Sequence, residues 1–375
     1  MTATRRAAMA LASLAAVSAW SRVASATGSD SDRLATMLRR SFGQYRLRSL
    51  LFAAWRDGRP ILTRAIGHSA GSRPARRVMH FRAAAITTSY LGALLLHLVD
   101  RKQVQLDDPI AKWWPELPHA RRVTLGMLGY NSSGYADYLA SKPFQGFTRE
   151  ALLRHWTDVE LIRLGTSLPL AFPPGTGFHY AHTNAVLLGA ILERATGEPI
   201  ARLLRRAFLA PLRLDETEYP SGIALRRPVL HAFSRQFDRY EDSTLWDPAW
   251  VSHSGLMNTD LHDLGRWARL LGSGAILSKR SYRALTAPIN VGHDGNAPDF
   301  YYGLGVLVLN RWIVQNGLYF GWNPVMAYLP SQRLSLAIFT TIGPESEDGV
   351  SHGVRILKQA VRILAPEQLI PDRFA

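Results

Sequence analysis

Cysteine is absent from all 375 residues. Disulfides, thiolate metal centres, iron–sulfur clusters and thiol nucleophiles are excluded with it, so any nucleophile here carries oxygen or nitrogen. Charge is sparse, at 19% of residues, and acids are the minority, with 29 Asp+Glu against 44 Lys+Arg. A chain that is 47% hydrophobic is nonetheless too apolar to stay disordered, and it is long enough for one large domain or two lobes with a real core. Long apolar runs are few. Ala7 to Trp20 is shorter than the ~20 residues of a membrane span, and it sits between Arg5-Arg6 and the small-residue stretch Ala24-Ser25-Ala26. Residues 1–26 therefore read as an export signal, and 27–375 as the mature chain, bound for periplasm, wall or medium. Basic residues come in no block longer than pairs such as Arg205-Arg206 and Arg226-Arg227, which argues against nucleic acid as a partner. The basic excess favours peripheral association with an anionic envelope instead.

The remaining text orders itself into elements. Ser31 to Phe42 is amphipathic. Leu50–Trp55 and Pro60–Gly67 are apolar-rich runs joined at Asp57-Gly58, a hairpin signal. Ala83 to Val99 has no Lys, Arg, Asp or Glu between Arg82 and Asp100, which predicts a helix buried in protein. Helical segments and loops follow as far as Pro248. Gly305–Val314, Pro324–Leu329 and Leu334–Thr341 are strand-like, and Ser351–Leu364 closes as a helix. Strands at both ends predict an α/β (α+β) fold: one antiparallel sheet built from both termini (27–82 and 254–375), with a mostly helical lobe (83–253) inserted.

Phe81 to Ile110, FRAAAITTSYLGALLLHLVDRKQVQLDDPI, resembles the phrase F-R-I-x-S-x-T-K, apolar helix, G-K-L-x-L-D-D-P of the β-lactamase-related serine hydrolases, a family that includes penicillin-binding D-alanyl-D-alanine carboxypeptidases and esterases. The resemblance runs from about Gln44 to Leu364. It takes in Thr124–Tyr138, Phe172–Gly197, Ser254–Leu256 with Asp260–Trp267, and Tyr302–Gly305. It implies a β-lactamase/transpeptidase-like fold, no cofactor and no metal. It also implies a Ser-x-x-Lys pair, a Tyr-x-Asn motif, a Lys/His-x-Gly strand and a backbone oxyanion pocket.

At the motif positions this chain has Ala85 for the serine, Thr88 for the lysine, Tyr180 and His182 for Tyr-x-Asn, and Gln315-Asn316-Gly317 for His-x-Gly. Losing a nucleophile from such a coupled set costs roughly 10⁴- to 10⁶-fold in rate. The resemblance thus implies a non-catalytic binding protein. Its positively biased pocket would be lined by the Ala85 amide, Tyr180, His182, Gln315, Asn316, Gly317 and Trp322, for a peptidoglycan peptide, another anionic small ligand or a protein partner. The alternative is a hydrolase that uses Ser89, Thr88 or a His182-activated water. His179 and His182 share a spacing with metal ligands but lack a third donor, and Gly129–Gly134 reads as a turn rather than a nucleophile elbow. His253 is expected to order the approach to Gly255.

Overall fold

The structure, a computed structural model, describes residues 29–374, so the export-signal segment lies outside the described residues. A helix capped by the Ser29 hydroxyl opens it, α1 (Asp30–Gln44). Strands β1 (Leu47–Arg56) and β2 (Arg59–Gly67) then form the expected hairpin, with Asp57 and Gly58 both at positive φ, +52° and +76°. That is the mirror-image turn whose twist matches paired strands. After a long excursion the chain returns as β3 (Phe300–Tyr302), β4 (Leu307–Leu309), β5 (Trp312–Asn316), β6 (Asn323–Leu329) and β7 (Leu334–Ile342). All pairings are antiparallel in a seven-stranded sheet of order β2-β1-β7-β6-β5-β4-β3.

The single strand expected over Gly305–Val314 is instead a hairpin. Asn310 and Arg311, at φ +46° and +73°, turn the chain between β4 and β5 and pair Leu309 with Trp312. Asn-Arg is not one of the strong turn pairs, so the apolar residues on both sides of it masked the turn.

Both faces of the sheet are covered, which is why β6 and β7 are buried along their whole length and read as near-continuous apolar runs. On one face lie α1 and the final helix, α5 (His352–Leu364), whose Leu34, Leu38, Val354, Leu357 and Val361 meet Leu50, Leu336 and Ile338. On the other, α4 (Leu261–Gly272) packs against β1, with Gly265 so near Trp55 that a Cβ would stand 2.2 Å from the indole. The charge-free segment becomes α2 (Thr87–Asp100), buried over most of its length and clamped by Tyr90 stacked on Trp267 at 3.8 Å. The inserted region combines short helices, the longest being α3 (His182–Thr196), with long loops and a small ribbon in which Phe233–Ser234 pairs with Glu241–Asp242, so it is less helical than expected. Among the described residues no helix is long and apolar enough to cross a membrane.

Candidate active site of the acyl-transfer fold

The entrance to α2 sets the site. Phe81-Arg82 pairs with Thr259-Asn258, and the chain then passes through Ala84, at φ +48°, into a tight turn over Ala84–Ile86. This left-handed backbone is one that alanine rarely adopts, so the surrounding structure must hold it. What holds it is visible across the cleft. Gly317 comes so close that a Cβ there would lie 2.4 Å from Ala84 Cβ and 2.7 Å from the Ala85 amide nitrogen. The end of β5 and the start of α2 thus meet backbone to backbone, which only glycine permits.

Thr88 follows Ala85 by three residues and stands behind the cleft wall that Ala85 joins. Its hydroxyl shares its proton between the carbonyls of Ala85 (2.9 Å) and Gly305 (3.1 Å), and accepts from Gln315 Nε2 at 2.8 Å. Gln315 Nε2 also reaches the Gly305 carbonyl at 3.0 Å, while its Oε1 accepts from the Asn316 amide at 3.0 Å. Gly305, at φ +75°, brings its backbone onto α2 so tightly that a Cβ would stand 2.3 Å from the Thr88 carbonyl. Burial pushes the Tyr302 phenol up to about 12 against the pull of its neighbours Thr88, Asn131 and Gln315. At the position that the sequence resemblance gives to an amine base, these residues form a neutral, mutually satisfied network.

The opposite wall carries Tyr180 and His182 at the start of α3. Burial raises the Tyr180 phenol far above its ordinary value, and Tyr302 and Asp137 add to the shift, so it stays protonated. His182 Nδ1 bonds Asp137 Oδ2 at 2.8 Å, an oxygen that also accepts from the His182 amide at 3.2 Å; Leu139 N donates to the other oxygen at 3.0 Å. Burial works against the Asp137 charge, yet His182 and these donors hold its carboxyl below the usual range. His182 Nε2 has no protein partner among the described residues, and the ring borders the cleft.

The cleft itself holds about 380 Å³ and brings together Ala85, Tyr180, His182, Gln315, Asn316 and Gly317. Thr88 lies behind it on a recess of about 20 Å³, room for about one water. Trp322 does not join them: it is fully buried beside Phe339 (5.9 Å) and the Arg82 guanidinium (6.0 Å). Ser89 is also spent elsewhere. Its hydroxyl donates to the Ile86 carbonyl at 2.6 Å and accepts from Trp267 Nε1 at 2.9 Å, deep in the core. His253 is buried between the Tyr219 hydroxyl (2.6 Å) and Asp158 (3.1 Å), away from the cleft.

The expected positive bias is not there, since no Lys or Arg lines the cleft and Asp294 does. The excess of basic residues lies elsewhere, so overall composition was no guide to the field inside. The site roles of Asp137, Tyr302, Phe178 and Asp294 went unread in the sequence. Asp137, Phe178 and Tyr302 stand within the matched segments, but only the fold shows which side chain each one meets.

Residues 31–361 match the Beta-lactamase family model. The chain belongs to the beta-lactamase family. It is a member of a serine-hydrolase family of known fold, similar to proteins of varied activity. It is 30% identical to Esterase EstB of Burkholderia gladioli over 204 residues, 51% of this chain and 52% of that one, so the match spans about half of that relative's length. Penicillin-binding protein 4* of Bacillus subtilis (strain 168) is 23% identical over 321 residues, covering 81% of this chain and 69% of that one. The fold superposes on D-amino acid amidase from Ochrobactrum anthropi SV3, complexed with D-phenylalanine, with a TM-score of 0.77 at 20% identity, over 89% of this chain and 98% of that one.

Proposed function

We propose that this beta-lactamase-family protein is an exported binding protein. It holds a carbonyl-bearing small ligand, of the kind a cell-wall peptide presents, in the former acyl-transfer cleft without forming an acyl-serine. The observation that carries this reading is the pair Ala85 and Thr88: a methyl group where the attacking hydroxyl belongs, and a hydroxyl already committed to two carbonyls where the base belongs. Backbone recognition survives such changes, because the Ala85 amide and the close approach of Gly317 do not depend on side chains. The test is turnover of nitrocefin, an aryl ester and a D-Ala-D-Ala peptide by the purified protein. No enzyme-like rate is expected on any of the three. Hydrolysis that Tyr180→Phe abolishes would refute the reading.

A second reading has an observation of its own. The Asp137–His182 pair, with His182 Nε2 open to the cleft, has the composition of a general base that could activate water. Under that reading a slow hydrolysis depends on His182, and Asp137→Asn lowers it by about one to two orders of magnitude. If His182→Gln leaves any measured rate unchanged, the water mechanism falls.

A further inference from the structure

We infer that the cleft selects a ligand whose charged group is an amine, carried next to an aromatic or apolar body and a neutral carbonyl, rather than a carboxylate. This rests on the binding reading above. The chain has 44 Lys+Arg against 29 Asp+Glu, yet the cleft wall contains none of the former. Its aromatic side chains are Phe178, Tyr180, Phe300 and Tyr302, with Tyr302 centred 5.6 Å from Phe178 and 5.8 Å from Tyr180. Both tyrosines stay neutral at any physiological pH, so neither contributes a negative charge of its own. The remaining apolar wall is Leu307 and the rim residue Leu318, which is 43% exposed.

Asp294 stands at the mouth on the exposed turn before Asn296, at φ +40°. Its carboxylate makes no ion pair and no side-chain hydrogen bond among the described residues. His182 on the wall is paired with the Asp137 carboxylate, Nδ1 to Oδ2 at 2.8 Å, so the pair offers an anion no net positive charge. An anionic ligand would therefore find only neutral polar groups such as Asn296, Asn316 and the Ala85 amide among the rings, with the Asp294 carboxylate nearby and no Lys or Arg to receive it. An ammonium group gains twice: from the negative faces of the rings and from the unpaired carboxylate. The volume of about 380 Å³ suits a small molecule of this kind.

The experiment is calorimetric titration of the purified protein with three compounds on one skeleton: phenylalanine amide (cationic), N-acetylphenylalanine amide (neutral) and N-acetylphenylalanine (anionic), each in both enantiomers. We expect the cation to bind about three- to tenfold more tightly than the neutral amide, and the anion more weakly than either. The advantage should shrink in 0.5 M salt, as expected for a rim charge. Asp294→Asn should lower the cation to near the neutral amide while leaving the neutral amide unchanged. Equal affinities, or an anion that binds best, overturn the amine selectivity while leaving the binding reading intact. Failure of all three to bind overturns both. A cation advantage that survives Asp294→Asn removes Asp294 from the account.

Discussion

Thr88 stands where the sequence resemblance puts the family's lysine, and its hydroxyl is engaged in holding backbone together. A lysine there would need its charge matched, whereas threonine fits between the carbonyls of Ala85 and Gly305 and takes the Gln315 amide on its remaining lone pair. Ser89 illustrates the same economy deeper in α2, and it yields a first prediction. Ser89→Ala strips Trp267 Nε1 of its acceptor inside the core, so it should cost about 1–3 kcal/mol in urea unfolding and leave ligand affinity unchanged. Loss of binding or of any turnover without loss of stability would instead mark Ser89 as functional. Asp137 gives a second prediction. Because its folded carboxyl titrates below the unfolded value, its charge stabilises the protein above the ordinary Asp range near pH 4, and that contribution fades as pH falls through the lower, folded value. The stability gap between wild type and Asp137→Asn, measured by denaturant at successive pH values, should therefore be full at pH 6 and narrow below about pH 4. A gap that widens in acid would contradict the assignment.

At the level of elements, the site is made by backbones that touch. The left-handed Ala84, the strand end at Gly317 and the loop glycine Gly305 lock α2 to the β4–β5 side of the sheet. Gly305→Ala combines an unfavourable φ with a Cβ 2.3 Å from a carbonyl, so it should destabilise by about 2 kcal/mol or more in thermal or chemical unfolding and weaken ligand binding together with it. Intact stability in that variant would mean that the contact is slack. The elements were largely legible: the Asp57-Gly58 hairpin, the charge-free α2 and the amphipathic α5 each follow from patterns within a few residues of one another. The β4–β5 turn was not, because Asn310-Arg311 sits inside an apolar run without glycine. The site divides the same way. Motif spacing places Ala85, Tyr180 and Gln315 on one cleft. The contact of Asp137 with His182 and that of Thr88 with Gln315 join residues far apart in sequence, and only the closed fold reveals them. Trp322 was misplaced because a conspicuous aromatic beside a motif glycine serves a core as readily as a pocket.

For the whole molecule, the separation of charge is the feature with most consequence. Its basic excess lies outside a cleft lined by rings and one unpaired carboxylate, so under the proposed reading attraction to an anionic envelope would not depend on what the cleft holds. Retention on anionic cell-wall material should then decline steeply as salt is raised and be indifferent to Asp294→Asn; retention that follows the cleft variant would tie the two together. The central proposal is that this protein forms no acyl-serine. It is tested most directly by incubating the intact protein with a fluorophosphonate and with a fluorescent penicillin, then weighing it and mapping any adduct by peptide mass. The account predicts an unmodified mass with both reagents. A stoichiometric adduct on a hydroxyl lining the cleft, abolished by substitution of that residue, would contradict it.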